Sequence, residues 1–292
     1  MPTSEPPIPR GLGSGKHDQS RLKSSEQCAL QPLGLCYSAR LMAEPSVPFL
    51  RRATGALSRR FDRPELLATI YAGPRRELHE EIAIRAVLGA CLAGEATYVD
   101  VGTNRGQVLG EAVRAAPRGK HIAFEPIPEL AAEVTAAFPT VDCREIAIGA
   151  QPGTAEFCHF KSLDGWSGLR RSPEISDERG DPEYLNVTIS TLDMQLAGLA
   201  PRVIKIDVEG AELDVLEGAR TVLGEARPLI IFEHVARASA LYGAAPEAPY
   251  DLLLELGYEV LPITGGGPVT RTEFAADGPI VNWLARPLPV AA

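Results

Sequence analysis

The sequence predicts a doubly wound α/β fold with a seven-stranded, Rossmann-like sheet whose last strand runs antiparallel, preceded by an N-terminal helical extension. Three observations carry that expectation. Beyond Gly94, short β-branched runs alternate with helical stretches, as a parallel sheet with crossover helices requires. The first such run, Tyr98-Val99-Asp100-Val101, leads straight into a glycine-punctuated turn, Gly102-Thr103-Asn104-Arg105-Gly106, and then into a helix. The last two runs are joined by a loop containing Gly265, Gly266 and Gly267 instead of a crossover helix, which pairs them antiparallel at the sheet edge.

In chain order, residues 1–46 are rich in Pro, Gly and Ser without a sustained hydrophobic period, and read as a flexible extension. Residues 47–95 are expected to hold N-terminal helices. Leu50, Leu57 and Phe61 recur at helical spacing with Arg51, Arg52, Arg59 and Arg60 between them. Such a basic amphipathic helix packs on a main domain or meets a partner or membrane surface. A second helix is expected from about Glu77 to Leu92. Residues 96–292 form the main domain, with strands at Thr97–Val101, His121–Phe124, Val141–Ile146, Val203–Ile206, Leu229–Phe232, Tyr258–Pro262 and Ile280–Ala285. Helices are expected over Gln107–Ala115 and Leu213–Leu223. The polar stretch between Phe157 and Val187 reads as a surface loop with a short hairpin at either flank, and loops of that length are usually functional.

Composition narrows the partners. With 292 residues and 45% hydrophobic content, the chain buries a sizeable core without staples. Its five cysteines form no CxxC pair, which argues against a zinc ribbon or a redox dithiol and fits a reducing compartment. A formal charge of -9 disfavours nucleic acid as a partner, since that affinity depends on Lys and Arg neutralising phosphates. No stretch has the roughly 20 apolar residues of a transmembrane segment and no signal peptide is legible, so the expected location is cytoplasmic.

The chemistry concentrates at expected strand ends. In the first turn, Gly102 and Gly106 let backbone approach a ligand, Asn104 lies between them, and the following helix offers free N–H groups. Asp100, two residues before the first glycine, would repel a pyrophosphate but suits a cationic aminoacyl ligand, directly or through water. Glu125 ends the next strand just before Pro126, roughly 20 residues on, where doubly wound folds place the acid that accepts both ribose hydroxyls. Ala147 and Ile148 are small and apolar enough to lie against an adenine ring or simply to be core. Lys205 and Asp207 alternate onto one strand face, with Glu209 following at the carboxyl end where ligands of open sheets bind. The competing reading makes Lys205 and Asp207 a buried ion pair. The fifth strand runs off into Glu233 and His234.

Together VDVGTNRG, FEPIPE, REIAIG, STLD, KIDVEGAELDVLEGA and IIFEH resemble, in order and spacing, the FkbM family of S-adenosylmethionine-dependent methyltransferases, over roughly Tyr98 to Arg286. The turn carries Thr103 and Arg105 where that family often has Ala and an aliphatic residue. The resemblance implies S-adenosyl-L-methionine as cofactor and methyl transfer to a hydroxyl of a small molecule, sugar, glycolipid or polyketide. An alcohol acceptor needs a base, and Asp207, Glu209, Glu233 and His234 are the candidates. The same group could instead hold a divalent metal, a reading not favoured here. Trp166 is a candidate to close over the acceptor and Lys205 to contact it. The alternatives are a catalytically inactive cofactor-binding protein of the same fold and a nicotinamide-dependent oxidoreductase, the latter disfavoured by Asp100 and the antiparallel ending.

Overall fold

A computed structural model describes residues 74–171, 182–276 and 278–289. The extension over 1–46, the basic helix expected over 47–61 and part of the long loop lie outside the described residues. The first described element is helix α1 (Pro74–Cys91), close to the expected second helix.

The main sheet holds β1 (Tyr98–Val101), β2 (Ile122–Phe124), β3 (Asp142–Arg144), β7 (Val203–Ile206), β8 (Leu229–Glu233), β9 (Tyr258–Pro262) and β10 (Asn282–Pro287). Their order is β3-β2-β1-β7-β8-β10-β9. The first five pair in parallel, and β10 runs antiparallel to both neighbours, with Trp283 opposite Phe232 on one side and Pro262 on the other. The expected antiparallel ending is therefore present, but β10 is inserted between β8 and β9, so β9 is the edge. Nor is the connection free of helix: after the glycines, Thr270 and Glu273 form a capping box that starts a short helix, Arg271–Ala275.

Both faces of the sheet are covered. Val99, Val101, Ile204 and Ile206 belong to a core shared with Val215, Leu216 and Leu223, while Tyr98 and Val203 belong to one shared with Leu88 and Leu109. Alternation along each strand sends neighbours to opposite faces, which explains why near-continuous apolar runs mark these strands. Helix α2 (Gln107–Ala115) and helix α3 (Pro128–Ala137) follow β1 and β2. Glu80 of α1, 2% exposed, accepts from the Val281 backbone N–H and the Asn282 side-chain amide, which ties that helix to the start of β10.

Two expectations are corrected. The single helix expected over Leu213–Leu223 is two, α5 (Glu212–Glu217) and α6 (Arg220–Glu225), after the short α4 (Leu192–Gln195). The break falls at Gly218, where a Cβ would lie 2.1 Å from the Gly149 carbonyl oxygen, so the chain turns where two backbones touch. The two hairpins expected at the flanks of the long loop are one: β5 (Gly153–His159) pairs antiparallel with β6 (Glu183–Ser190) from Gly153–Ile189 to His159–Glu183. With β4 (Ala147–Ile148) they form a second sheet of order β4-β6-β5. Ala147 and Ile148, just past the strand expected over Val141–Ile146, belong to this second sheet.

Candidate active site

Strand order reverses direction between β1 and β7, and the crevice outside the carboxyl ends at such a switch point is where open α/β sheets bind ligands. A cleft opens there. Its floor and one wall are the first turn, with Gly102 and Asn104, and the loop after β2, with Glu125 and Pro126. Ala147, Ile148, Asp207 and Glu209 line it as well.

The turn is shaped by close backbone approach. Gly102 has φ 77°, and a Cβ there would sit 1.9 Å from the Asp207 carbonyl oxygen, so no other residue fits between β1 and β7. Gly106, φ 74°, caps α2 against the Phe138 ring and does not line the cleft. Asn104 is left-handed at φ 50°, and its N–H donates to Glu125 Oε2 at 2.8 Å. Oε1 of Glu125 accepts from the Ile127 N–H at 3.0 Å. Each oxygen thus spends one acceptor site on backbone and keeps another. Burial pushes the Glu125 carboxyl up to about 7, and the two N–H groups only partly offset it.

Asp100 lies beneath the turn, not in the cleft wall. It is 1% exposed, its Oδ2 accepts from the Thr103 hydroxyl at 3.1 Å, and the buried Tyr98 hydroxyl beside it also favours its charged form. Burial raises its carboxyl to about 6 against the opposing pull of Lys205. In this position Asp100 shapes the turn and adds negative charge below it, and a direct contact with a ligand in the cleft is not what the geometry offers.

Lys205 is likewise withdrawn. Its side chain is 7% exposed and its ammonium donates to Asp207 Oδ2 at 2.8 Å, so the buried ion pair considered from the sequence is formed. Burial pulls its pKa down, but Asp207 and Asp100 outweigh that and hold it well above normal. It does not reach the cleft as an acceptor contact because the carboxylates around it hold it below the surface. Asp207 itself stands at the cleft with one oxygen engaged from behind.

Glu209 lines the cleft from a left-handed backbone, φ 55°, followed by Gly210 at φ 104°. Glu212, 1% exposed, holds that bend by accepting the Gly210 N–H at 3.0 Å through Oε1, leaving Oε2 without a partner. Burial raises Glu212 to about 7. Glu233 is half-buried behind this group and does not line the cleft; burial and then Asp207, Glu209 and Glu212 drive its carboxyl well above normal. His234 is not part of the site geometry. It is 3% exposed, stacks on Phe274 with centroids 4.5 Å apart, and pairs through Nδ1 with the Ser239 hydroxyl at 3.2 Å. Burial lowers its pKa to about 4.

Trp166, 40% exposed, is not among the residues that line the cleft, while its neighbours Asp164, Gly165 and Ser167 are. Phe157, Leu169 and Ile127 complete the apolar lining and were not singled out from the sequence. Among the described residues no group of three or more His, Cys, Asp or Glu is arranged to hold a metal ion.

Residues 100–260, more than half of the chain, match the model of the methyltransferase FkbM domain. The chain belongs to the FkbM methyltransferase family. The matched FkbM region begins at Asp100 and ends within β9, and so contains every cleft residue named above. A curated relative, the AMB antimetabolite synthetase AmbE of Pseudomonas aeruginosa, is 26% identical over 224 residues, covering 63% of this chain. The chain spans about a tenth of that relative's length. Among solved structures, the methyltransferase FkbM from Methylobacillus flagellatus is similar at 16% identity and TM-score 0.43, covering 66% of this chain and 43% of its own. The O-methyltransferase TomG from Streptomyces achromogenes is similar at 15% identity and TM-score 0.40, covering 82% and 89% respectively. Among the described residues no helix is long and apolar enough to cross a membrane.

Proposed function

We propose that the chain transfers the methyl group of S-adenosyl-L-methionine to a hydroxyl oxygen of a small-molecule acceptor such as a sugar, glycolipid or polyketide-type natural product. The observation that carries this reading is that one cleft of an FkbM-family chain is lined both by Glu125, with free acceptor positions, and by Asp207 and Glu209.

The cleft fits the cofactor. Glu125 keeps an acceptor position on each oxygen for two ribose hydroxyls, Gly102 lets a ligand lie against bare backbone, and Ala147 and Ile148 offer an apolar wall to a purine. The carboxyl groups that line the cleft, Glu125, Asp164, Asp207 and Glu209, suit a ligand carrying positive charge better than a dinucleotide. The cofactor supplies an electrophilic methyl group on a sulfonium. The chain aligns the acceptor oxygen with that methyl and takes up the hydroxyl proton. Asp207 and Glu209 are the proposed bases because they reach the cleft. Glu233, behind them, is proposed to hold charge balance or a proton rather than to touch the acceptor. His234 is proposed to be a packing residue, given its stacking on Phe274. A small-molecule acceptor is supported further by the relative named as an antimetabolite synthetase.

The test incubates the purified protein with methyl-labelled cofactor and an extract of its source, and identifies the product. Label in a methoxy group of a small molecule is the expected result. Label on nitrogen, carbon or a macromolecule would overturn the acceptor assignment.

A further inference from the structure

The segment between Phe160 and Ser167 is closed at its base and tethered at its tip. At the base, Cys158 and Gly168 exchange two backbone hydrogen bonds of 2.9 and 3.1 Å, and the Ser167 hydroxyl accepts from the Phe160 N–H at 3.0 Å. At the tip, the turn Asp164–Trp166 puts Asp164, Gly165 and, next to them, Ser167 into the cleft wall. Across the opening stands Arg105, part of the glycine turn that forms the cleft floor and adjacent to Asn104. Its guanidinium donates to Asp164 Oδ2 at 2.7 Å and to Glu133 Oε2 of α3 at 2.5 Å. The other oxygen of Asp164 pairs with His159 Nε2 at 3.1 Å, and His159 is 5% exposed. One arginine therefore joins three elements around the mouth of the cleft.

We propose that Arg105 is a positioning residue that acts through Asp164 to hold the Phe160–Ser167 segment across the cleft, and so sets how fast the cofactor and its demethylated product leave. The proposal rests on the reading of the cleft as the cofactor site. Its chemistry is suited to a releasable contact. Asp164 is 14% exposed in its side chain and anchored from behind by His159, whereas Arg105 is 50% exposed and Glu133 54%. Exposed ion pairs are weak enough to open on the time scale of turnover and are screened by salt, unlike the buried Lys205–Asp207 pair. Opening the Arg105–Asp164 contact frees the tip while the backbone pairing at Cys158 and Gly168 keeps the base as a hinge.

The experiment follows dissociation of S-adenosylhomocysteine, chased by excess unlabelled ligand, from the full-length chain and from Arg105→Ala, Arg105→Lys and Glu133→Ala. The expected result is a dissociation rate about five-fold higher in Arg105→Ala, partial restoration in Arg105→Lys, and a smaller rise in Glu133→Ala. Raising salt from about 0.05 to about 0.5 M should speed release from the wild type and leave Arg105→Ala unchanged. Combining Arg105→Ala with Asp164→Asn should add nothing further to the effect of Arg105→Ala through this contact. A rate in Arg105→Ala within twofold of wild type, or a lowered melting temperature with an unchanged rate, overturns the proposal and assigns Arg105 to surface stability. If the wild type fails to bind S-adenosylhomocysteine at all, the reading of the cleft falls, and the proposal with it.

Discussion

Glu125 binds two backbone N–H groups yet sits at about 7, because burial favours its neutral form more than those bonds favour its charged one. A ligand that donates two hydroxyls to the carboxylate reverses that balance. Cofactor affinity should therefore rise as pH increases from about 6 to about 8, with net proton release, seen as a buffer-dependent enthalpy in calorimetry near pH 6.5. Flat affinity and no proton release would count against the assignment. His234 makes a prediction about stability instead of affinity. Its pKa is lowered to about 4 in the folded chain, so it contributes stability that is present above its unfolded value near 6.5 and lost as pH falls toward 4. His234→Phe, which keeps a ring on Phe274, should lose less melting temperature between pH 7.5 and pH 5 than the wild type. Lys205→Met should destabilise by about 3 kcal/mol in denaturant titrations, because it leaves Asp100 and Asp207 without their buried counter-charge. At this scale the sequence exposes residues that follow strands: Glu125, Asp207 and Glu209 were legible because a strand end aims what comes next at the crevice. Asp164 was not, since nothing local signals that it meets Arg105, 59 positions away.

Close approach between elements explains which glycines are irreplaceable. Gly102→Ala should cost about 3 kcal/mol or more and abolish cofactor binding, since its Cβ would overlap the Asp207 carbonyl from a left-handed backbone. Gly165→Ala, where nothing lies within 4 Å of a new Cβ, should change stability by less than about 0.5 kcal/mol. Melting curves of the two variants distinguish a turn fixed by packing from one that is free. The strands of the main sheet were legible as apolar runs bounded by turns, and α2 matched its expected ends. The single β5–β6 hairpin was not, because its strands alternate only weakly and are paired across residues that read as loop. The break between α5 and α6 also escaped, because a helical pattern continues through Gly218 and only the Gly149 carbonyl forbids it.

For the molecule as a whole, strand order is what turns scattered motifs into a site. Placing β1 beside both β2 and β7 brings the first turn, Glu125 and the Asp207–Glu209 bend around one crevice, although Asp100 and Asp207 are far apart in sequence. The antiparallel ending was anticipated, but the insertion of β10 between β8 and β9 was not, since sequence gives the pairing of neighbours and not which edge a strand joins. The central claim is that this crevice holds S-adenosyl-L-methionine, and calorimetric titration of the full-length chain tests it most directly. The account predicts saturable binding of the cofactor and of S-adenosylhomocysteine, no binding of NAD, and a loss of about 1.5 to 3 kcal/mol in Glu125→Ala. Binding of NAD in preference to the methionine cofactor, or an unchanged affinity in Glu125→Ala, would contradict it.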